Sequence, residues 1–489
     1  MKKLISDLTE YLGPKNVIID EPDKQPYVVD WRKIISGKAC AVALPSSTEE
    51  VASTVRICAA HGVSIVPQGG NTGQVAGAVP GEVGESIVMS LKRMNAIRAI
   101  DTKNNTMTVE AGCILKNLQE AANSAGRLFP LSLGAEGSCL IGGNLGTNAG
   151  GTQVLRYGNA RELTIGLEVV LANGEVWSSL RGLRKDNSGY DLRDIFIGSE
   201  GTLGIITAAT LRLFPQTPIR HTALAALPSV DAATELLSRC RDEAQEALTA
   251  FELISGACLR LVQQNCPDKR MPLHSIDSPW YCLIEVAHRG ENGRSLENFH
   301  RIFEDVIECE QASDVLVAQS LAQAEAMWGA REMITSALAH DGKCIKHDIS
   351  LPISEIPAFV RETDELLQAR YPGVRNFTFG HLGDGNLHYN VARRASGDDA
   401  DLHAMQPGLS LLVHDAVERR SGSISAEQGI GRIRTADLIR YKAPLELQLM
   451  WAIKRTLDPN GLLNPGVLLP SFEPWMELRG VSSADRCCR

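Results

Sequence analysis

The chain has 489 residues, of which 44% are hydrophobic and 22% are charged, and its formal net charge is −9. These values are typical of a globular protein, and the length favours two domains. The acidic balance and the lack of a long basic run argue against nucleic acid or an anionic membrane surface as the main partner.

The N-terminal segment MKKLISDLTEYLG predicts an amphipathic helix rather than a signal peptide, because no apolar segment follows its lysines. No run of apolar residues is long enough to predict a transmembrane span. The 12 cysteines are scattered without a CxxC pair, which argues against an iron–sulfur centre and favours free thiols. We therefore expect a cytoplasmic protein. A homodimer is compatible with the sequence, which leaves the oligomeric state open.

The first half of the chain predicts helices and strands in alternation. Ser46 and Ser47, three residues before Glu49 and Glu50, form a capping-box pattern that begins a helix ending at Gly62. Further along, strands are predicted at 64–66, 86–91, 107–110, 163–171, 175–177 and 205–214, and a helix at 114–125. The dipeptide Asn173-Gly174 predicts a tight hairpin.

Pro215 and Pro218 interrupt the pattern and mark a predicted domain boundary. Beyond them, helices are predicted at 231–246, 296–310, 321–338, 356–369 and 404–419, and strands at 280–287, 343–351 and 376–380. The sequence therefore predicts a mixture of helices and strands in both halves of the chain.

Two glycine-rich loops are the strongest local signal. PQGGNTG, residues 67–73, follows a predicted strand, and residues 131–151 hold seven glycines. Glycine lets successive backbone N–H groups converge on a phosphate, and Asn71, Thr72, Asn144, Thr147 and Asn148 could add side-chain hydrogen bonds. Neither a Walker P-loop nor the GxGxxG motif of a Rossmann NAD site is present.

These loops, together with RYGNARELTIGLEVVLANGEV and LRKDNSGYDLRDIFIGSEGTLGIIT, resemble the FAD-binding domain of the vanillyl-alcohol-oxidase superfamily. Within it, the chain resembles the D-2-hydroxyglutarate and D-lactate dehydrogenase branch from about Ala41 to Leu469. The resemblance implies an α+β fold with a two-subdomain FAD-binding domain at 1–216. It also implies a C-terminal α+β substrate or cap domain with an antiparallel sheet at 217–470, including a return segment. A tail at 471–489 follows.

The resemblance implies that the two loops and the segment GSEGTLGII clasp FAD. Non-covalent FAD is expected, since the first loop has no His, and Cys139 is expected to be a buried small residue rather than a flavin attachment. The implied cofactor-binding residues are Pro67, Gln68, Gly69, Gly70, Asn71, Thr72, Gly73, Gln74, Leu133, Gly134, Gly137, Ser138, Ile141, Gly142, Asn144, Thr147, Asn148, Gly150, Glu200, Gly201, Gly204, Ile205, Ile206 and Asn464.

His381, His388 and Glu427 are the candidate metal ligands. The histidines in HLGDGNLHYN are seven residues apart, a spacing suited to a strand–turn–strand, and Glu427 lies in SAEQGIG. Two imidazoles and a carboxylate form a three-ligand set that leaves one coordination position open. Spacing alone leaves a structural role open for each His, and the resemblance implies a divalent metal here. Zinc fits these ligands best, while manganese, iron and cobalt stay open.

The resemblance also assigns the substrate site. Arg331, Thr335, Lys346 and Asn390 are implied to bind substrate, with Arg331 also among the candidates for a role in catalysis. Arg331 and Thr335 are four residues apart and would share a helical face; a solvated helix surface is their structural alternative.

Gln428 marks a departure from the resemblance, because the family has a His base at this position. Glutamine accepts no proton near pH 7. The metal could acidify the substrate hydroxyl enough for water to serve, His347 could stand in as the base, or the substrate class could differ. Gln428 therefore occupies the implied catalytic and substrate-binding position without the chemistry of the implied base.

The resulting hypothesis is FAD-dependent, metal-assisted oxidation of a D-2-hydroxy acid by hydride transfer to flavin N5, with a protein or quinone as electron acceptor. One alternative is a same-fold FAD oxidase of another alcohol that uses oxygen. Another is a non-redox flavin-binding homologue that lacks the base. A plain metallohydrolase, suggested by the candidate ligands alone, is disfavoured by the two glycine-rich loops.

Overall fold

The structure, a computed structural model, describes residues 1–82, 85–266, 272–273, 275–289, 292–393 and 399–470. The predicted tail at 471–489, with Cys487 and Cys488, lies outside these residues. The chain forms two compact units. The first comprises Met1–Ala149, Asn159–Pro215 and the chain from Glu427 onward, and the second comprises Gly150–Gly158 and Gln216–Ala426.

The helices are, in chain order, α1 (Lys2–Leu12), α2 (Glu21–Val28), α3 (Thr48–His61), α4 (Leu115–Ser124), α5 (Ile141–Gly146), α6 (Val154–Tyr157), α7 (Arg193–Phe196), α8 (Val230–Ala244), α9 (Gly256–Asn265), α10 (Asn292–Glu308), α11 (Leu321–Glu332), α12 (Ile334–Asp341), α13 (Ile356–Arg370), α14 (Asp399–Glu418), α15 (Thr435–Tyr441) and α16 (Pro444–Leu457).

The strands are β1 (Val17–Ile18), β2 (Ala39–Ala43), β3 (Ser64–Gln68), β4 (Ser86–Ser90), β5 (Ile97–Asp101), β6 (Thr106–Glu110), β7 (Arg127–Leu128), β8 (Thr164–Val170), β9 (Val176–Ser179), β10 (Ile205–Arg212), β11 (Phe214–Pro215), β12 (Ile219–Leu227), β13 (Leu248–Ser255), β14 (Trp280–His288), β15 (Asp314–Val317), β16 (Cys344–Ser350), β17 (Arg375–His381) and β18 (Asn386–Ala392).

Helix α3 shows how the sequence sets local structure. The Ser47 hydroxyl accepts the N–H of Glu50 at 3.1 Å, and the Glu50 carboxylate accepts the N–H of Ser46 at 2.7 Å. Gly62 ends the helix in the left-handed conformation, with φ of 63°, which glycine adopts at little cost. The predicted cap and end of this helix are confirmed.

In its described part, the first unit contains sheets of four, five and two strands, in the orders β1-β2-β4-β3, β5-β6-β10-β8-β9 and β11-β7. In the four-stranded sheet, β2 and β3 each pair in parallel with β4. The five-stranded sheet is antiparallel. Its β8–β9 hairpin turns through Asn173 and Gly174, where Gly174 has φ of 77°, so the predicted hairpin is confirmed.

The second unit contains a seven-stranded sheet in the order β15-β12-β14-β13-β17-β18-β16. All of its strand pairs are antiparallel, which confirms the sheet type predicted for the cap domain. The order places β13 beside β17 although more than a hundred residues separate them. This pairing brings an early part of the unit's sequence against the predicted metal-binding strands.

Some elements differ from the prediction. The helical stretch at 321–338 divides into α11 and α12 at Met333, and several strands were not predicted, among them β2, β5, β12, β13 and β15. Strands β12 and β13 are buried almost throughout, so both of their faces are apolar and the two-residue alternation that indicates a strand is absent.

The two units also differ from the predicted division at 1–216 and 217–470. Residues 150–158 belong with the second unit, and the chain from Glu427 belongs with the first. A sequence boundary placed at a proline pair detects only one crossing of the chain between units. Among the described residues, no helix is both long and apolar enough to cross a bilayer.

Candidate functional site

A cleft in the first unit is lined by both glycine-rich loops. The empty space between its walls is about 970 Å³, a figure that includes solvent on its open side. The lining residues are Pro67, Gln68, Gly69, Gly70, Asn71, Thr72, Gly73, Val75, Gly77, Ala78, Leu91, Ala111, Cys139, Leu140, Gly142, Gly143, Asn144, Gly146, Thr147, Glu200, Gly201, Gly204, Ile205, Ile206 and Gln428.

Glycine is required where the walls of this cleft approach each other. A Cβ on Gly70 would lie 2.3 Å from the carbonyl oxygen of Ser138, and one on Gly142 would lie 2.7 Å from Cβ of Ala111. The two loops therefore meet backbone against backbone, as a phosphate-binding cradle requires. The cleft fits the FAD that the sequence predicts.

The first loop is held by its own side chains. The Gln68 amide donates to the carbonyls of Tyr27 and Ala78, both at 2.8 Å, and the Asn71 amide donates to the carbonyl of Val29 at 2.8 Å. The Asn71 amide group was expected to be available for phosphate. Instead, this amide group holds the loop in place, and the backbone of Asn71 itself has φ of 53°. The side chain of Asn71 therefore supports the cradle.

Glu200 lines the cleft and is hydrogen-bonded to the backbone of the C-terminal segment. Its carboxylate accepts the backbone N–H groups of Ile430 and Gly431, both at 2.8 Å. The Asn464 amide donates to the carbonyls of Gly77 and Glu200 at 2.9 and 2.8 Å. Burial raises the pKa of Glu200 to about 7, although the two N–H bonds act in the opposite direction.

Glu200→Gln is expected to change how stability depends on pH. The folded-state pKa of about 7 lies above the ordinary carboxyl value of 4.5, so the folded protein binds the proton more tightly than the unfolded chain does. The stability that Glu200 contributes is present below pH 4.5 and is lost as pH rises to about 7. Relative to Glu200→Gln, wild-type unfolding free energy should fall by about 3 kcal/mol over this window. Urea denaturation at a series of pH values measures the difference, and a constant difference would contradict the assignment.

Several predicted cofactor residues do not line the cleft in the described part of the chain. They are Gln74, Leu133, Gly134, Gly137, Ser138, Ile141, Asn148, Gly150 and Asn464. Gly150 belongs to the second unit, and Asn464 supports the cleft through backbone carbonyls. Lining residues that the sequence did not single out as cofactor-binding are Val75, Gly77, Ala78, Leu91, Ala111, Cys139, Leu140, Gly143 and Gly146.

Cys139 lines the cleft and is buried, in keeping with its expected role as a small buried residue. Burial raises the pKa of its thiol, although a hydrogen bond with Asn144 acts in the opposite direction. The thiol form is a poor nucleophile, so the environment of Cys139 disfavours covalent attachment of flavin at this position.

The candidate metal and substrate residues of the second unit share one face of its sheet. In an antiparallel pair, directly opposite residues point to the same face. The register pairs Asp348 with His388 and Lys346 with Asn390. On the next strands it pairs Phe379 with His388 and Glu252 with His381. We call this face, defined by Glu252, Lys346, Asp348, Phe379, His381, His388 and Asn390, the site face.

The three predicted metal ligands come together. His381, His388 and Glu427 each offer a ligand atom, and these atoms lie within 4.8 Å of one another. His381 is the last residue of β17 and His388 lies in β18, which is the strand–turn–strand that their spacing predicts. Glu427 follows Ala426 directly, and the N–H of Ala426 donates to the carbonyl of Asp348 at 3.2 Å.

Each imidazole of the cluster has a carboxylate at Nδ1. The Nδ1 atom of His381 lies 2.5 Å from Glu252 Oε1, and that of His388 lies 3.7 Å from Asp348 Oδ1. The short contact with Glu252 holds the proton on Nδ1 of His381 and leaves its Nε2 for a metal ion, whereas 3.7 Å is too long for a hydrogen bond between Asp348 and His388. The donor set and its surroundings therefore fit a divalent metal.

Arg331 lies over the site face. Its Nε donates to Glu252 Oε2 at 2.7 Å, and its guanidinium carbon lies 4.7 Å from the centre of the Phe379 ring. Burial by itself raises the pKa of Glu252, but the neighbouring His381 and Arg331 outweigh it and lower the pKa to about 2. The guanidinium is thus a fixed cation beside the metal ligands, suited to a substrate carboxylate.

His347 is corrected as a candidate base. It lies between Lys346 and Asp348 on β16, so its side chain points to the opposite face of the sheet. It is buried, with Nδ1 2.9 Å from the carbonyl of Tyr389 and Nε2 3.1 Å from the Ser410 hydroxyl. These contacts give His347 a structural role.

Thr335 and Asn390 differ in their surroundings. Thr335 is exposed on α12, beyond the break at Met333, and does not share one continuous helix with Arg331 as predicted. Asn390 is buried on the site face, and its amide donates to the carbonyls of Phe377 and His388, both at 3.2 Å, which fixes its orientation.

Sequence reasoning missed Glu252 and Asp348. Glu252 is 129 residues from its partner His381, and it lies in a strand that the sequence did not predict. One signal was available, because Glu252 is the single charged residue in the apolar run LTAFELIS. A buried carboxylate in such a run requires a partner.

Comparisons with known proteins identify the families that the two parts of the chain match. Residues 39–179 match the family model described as FAD binding domain, and residues 217–468 match FAD linked oxidases, C-terminal domain. The chain is 41% identical to a D-2-hydroxyglutarate dehydrogenase of Xanthomonas citri pv. viticola, over 92% of this chain and 93% of the relative. It is 38% identical to the mitochondrial D-2-hydroxyglutarate dehydrogenase of Bos taurus, over 94% and 82%.

Solved structures share the fold at lower identity. A p-cresol methylhydroxylase with substrate bound superposes with a TM-score of 0.74 at 18% identity, covering 95% of this chain and 96% of the other. An alkyldihydroxyacetonephosphate synthase gives a TM-score of 0.71 at 15% identity, covering 95% and 84%. These likenesses support the two-domain FAD-binding fold.

Proposed function

The chain belongs to the family of FAD-linked oxidases that includes the D-2-hydroxyglutarate dehydrogenases, and we propose that it oxidises a D-2-hydroxy acid to the 2-oxo acid. The substrate class is that of D-2-hydroxyglutarate or D-lactate. FAD is held without a covalent bond in the glycine-lined cleft, since that cleft has no His in its first loop.

One observation carries the proposal, namely that His381, His388 and Glu427 converge within 4.8 Å while Arg331 lies over the same site face. A hydroxy acid presents a hydroxyl oxygen and a carboxylate, and a cation site beside a guanidinium matches both groups. The ligand atoms of His381, His388 and Glu427 are nitrogen and carboxylate oxygen, which favour zinc, with manganese, iron and cobalt as alternatives.

When bound, FAD supplies a hydride acceptor at N5, and a divalent metal lowers the pKa of the substrate hydroxyl. The residues of the chain orient the substrate for this chemistry. Arg331 pairs with a carboxylate, Lys346 adds a second positive charge on the site face, and the buried amide of Asn390 adds a fixed polar group. Fixing the Cα–H in one direction supplies much of the rate enhancement.

Gln428 distinguishes this chain from the pattern of the family. It lines the cleft and directly follows Glu427 in the sequence, but an amide takes up no proton near neutral pH. We propose that Gln428 orients the substrate by hydrogen bonding and that water takes the hydroxyl proton. The electrons then pass from the flavin to a protein or quinone acceptor.

Anaerobic flavin reduction tests the proposal. Purified protein should be yellow, and its absorbance should bleach with D-2-hydroxyglutarate or D-lactate but not with the L-enantiomers. Treatment with a chelator should stop the bleaching, and added zinc should restore it. Absorbance near 450 nm, recorded by stopped flow with each acid, is the measurement, and the untreated protein with no acid is the control.

The other outcomes of this experiment separate the alternatives. Flavin that binds but is reduced by no hydroxy acid would replace the proposal with a non-redox flavin-binding protein, in keeping with Gln428. Hydrogen peroxide released in air with a different alcohol would favour an oxidase of the same fold. Bleaching that persists after the metal is removed would contradict the metal-assisted mechanism.

A further inference from the structure

Two buried carboxylates project from the sheet of the second unit toward helix α11. Glu252 on β13 is 0% exposed and Glu285 on β14 is 6% exposed. The register places Glu252 opposite Leu283 and Glu285 opposite Ala250, so both side chains leave the same face of the sheet. Burial of a carboxylate is costly unless its oxygens are hydrogen-bonded, so each must have partners.

Each carboxylate receives one donor from α11. Trp328 Nε1 donates to Glu285 Oε2 at 3.0 Å, and Arg331 Nε donates to Glu252 Oε2 at 2.7 Å. The donors are three residues apart and so share one side of the helix. The two carboxylates therefore hold the same helix through one hydrogen bond each. Because both are buried and both hold this helix, we treat them as a matched pair.

The second oxygen of each carboxylate has a different kind of partner. Glu285 Oε1 accepts a hydrogen bond from the Thr249 hydroxyl at 3.2 Å. Thr249 has no part in the proposed site. Glu252 Oε1 is bonded to Nδ1 of His381 at 2.5 Å. Only Glu252 of the pair thus joins helix α11 to a residue of the metal cluster.

The bond to His381 also decides which ring nitrogen carries the proton. A carboxylate only accepts hydrogen bonds, so the proton stays on Nδ1 and Nε2 keeps its lone pair. The bond to Arg331 holds the guanidinium through Nε, which sets the direction of the plane that would meet a carboxylate. One side chain therefore orients a metal ligand and a substrate-binding cation.

We propose that Glu252 is a positioning residue that couples the metal ligand His381 to the substrate-binding Arg331. The inference rests on the proposed function, because it assigns roles to both partners within that site. Glu252 touches neither the substrate nor the metal in this scheme. Loss of its charge impairs metal retention and substrate binding together.

The matched substitutions Glu252→Gln and Glu285→Gln test the coupling. At position 285 an amide keeps both bonds, since its oxygen accepts from Trp328 and its NH₂ donates to the Thr249 hydroxyl. At position 252 both partners, Arg331 and His381, are donors. The NH₂ group of a glutamine would therefore face a donor whichever way the amide is turned. His381 can accept from it only by moving its proton to Nε2, the nitrogen offered to the metal.

Metal retention and substrate kinetics are the readouts. Glu252→Gln should bind zinc 10–100-fold more weakly, roughly the effect of losing an outer-shell partner, and should raise KM for the hydroxy acid. Zinc affinity is measured by competition with a chromophoric chelator, and the visible spectrum of the cobalt-substituted protein reports the ligand geometry. Glu285→Gln should retain zinc within about twofold of wild type. Flavin content and the melting temperature check the fold of both.

Arg331→Lys separates the two roles proposed for Glu252, namely holding the substrate-binding cation and orienting the metal ligand. It keeps a cation near Glu252 but loses the guanidinium plane, so KM should rise while zinc affinity stays close to that of wild type. Glu252→Asp serves if Glu252→Gln fails to fold. The shorter carboxylate keeps its charge but cannot reach both partners, and it should weaken zinc binding in the same direction.

The wild-type measurements distinguish the two proposals. If wild type binds zinc and oxidises the hydroxy acid while Glu252→Gln or Glu252→Asp matches Glu285→Gln in zinc affinity, the coupling is overturned and the proposed function stands. If wild type binds no divalent metal, the coupling and the metal-assisted mechanism are both overturned, and reduction of the flavin by the hydroxy acid decides whether the proposed function stands. The coupling is supported if Glu252→Gln shows weaker zinc binding and a higher KM while Glu285→Gln shows neither.

Discussion

Replacing His388 by alanine is expected to leave the flavin in place, strip the protein of its metal, and lower kcat/KM for the D-2-hydroxy acid about a thousandfold. His388 supplies one of three ligand atoms that lie within 4.8 Å of one another, and two ligands hold a divalent ion poorly. A metal contributes several kcal/mol to stabilising developing charge, and about 1.4 kcal/mol corresponds to a tenfold change in rate.

Metal content by mass spectrometry and steady-state rates with an artificial electron acceptor measure this effect. His403→Ala is the matched control, because His403 is an exposed histidine on α14 away from the cluster, and its metal content and rate should equal those of wild type. A His388→Ala variant that keeps a full complement of metal and its activity would refute the assignment of this ligand.

Gly70→Ala is the second large effect that we expect, and it acts on the cofactor. A Cβ at this position would lie 2.3 Å from the carbonyl oxygen of Ser138 and 3.0 Å from Cα of Cys139. Backbone atoms cannot rotate away as the end of a side chain can, so the two loops must separate. A displaced cradle loses one or two hydrogen bonds to a charged phosphate, about 3 kcal/mol, so the affinity for FAD should fall by roughly 100-fold.

The Gly70→Ala protein should therefore purify nearly colourless, with its FAD dissociation constant measured by fluorescence titration. Gly189→Ala provides the control, since a Cβ there meets no atom within 4 Å, and this variant should remain yellow. Circular dichroism shows whether both variants are folded. Tight FAD binding by folded Gly70→Ala would show that the close approach of the loops is not needed to bind the flavin.

Local features of the fold could be predicted because they depend on neighbours in sequence. The cap of α3 requires only Ser47 and Glu50, three residues apart. The Asn173-Gly174 hairpin and the turn between His381 and His388 likewise follow from short spacings. Strands β12 and β13 could not be predicted in this way, because burial on both faces removes the alternation that marks a strand.

In the candidate site, too, some features were predicted from the sequence and others were not. The glycine-rich loops, and the histidine pair with its resemblance to a known family, pointed to FAD and a metal without any coordinates. The role given to His347 failed, because strand alternation turns its side chain away from Asp348 and His388. Sequence spacing does not reveal which face of a strand will meet the site until the register of the sheet is known.

The sequence by itself determined the glycine-rich loops, the residue types of the candidate metal ligands and the family to which the chain belongs, since each can be read from short motifs. Only the tertiary structure decided that Glu252 meets both His381 and Arg331, partners that lie 129 and 79 residues away along the chain. The physical reason is that the order and register of the strands arise from packing of the whole sheet. No local pattern encodes contacts over such separations.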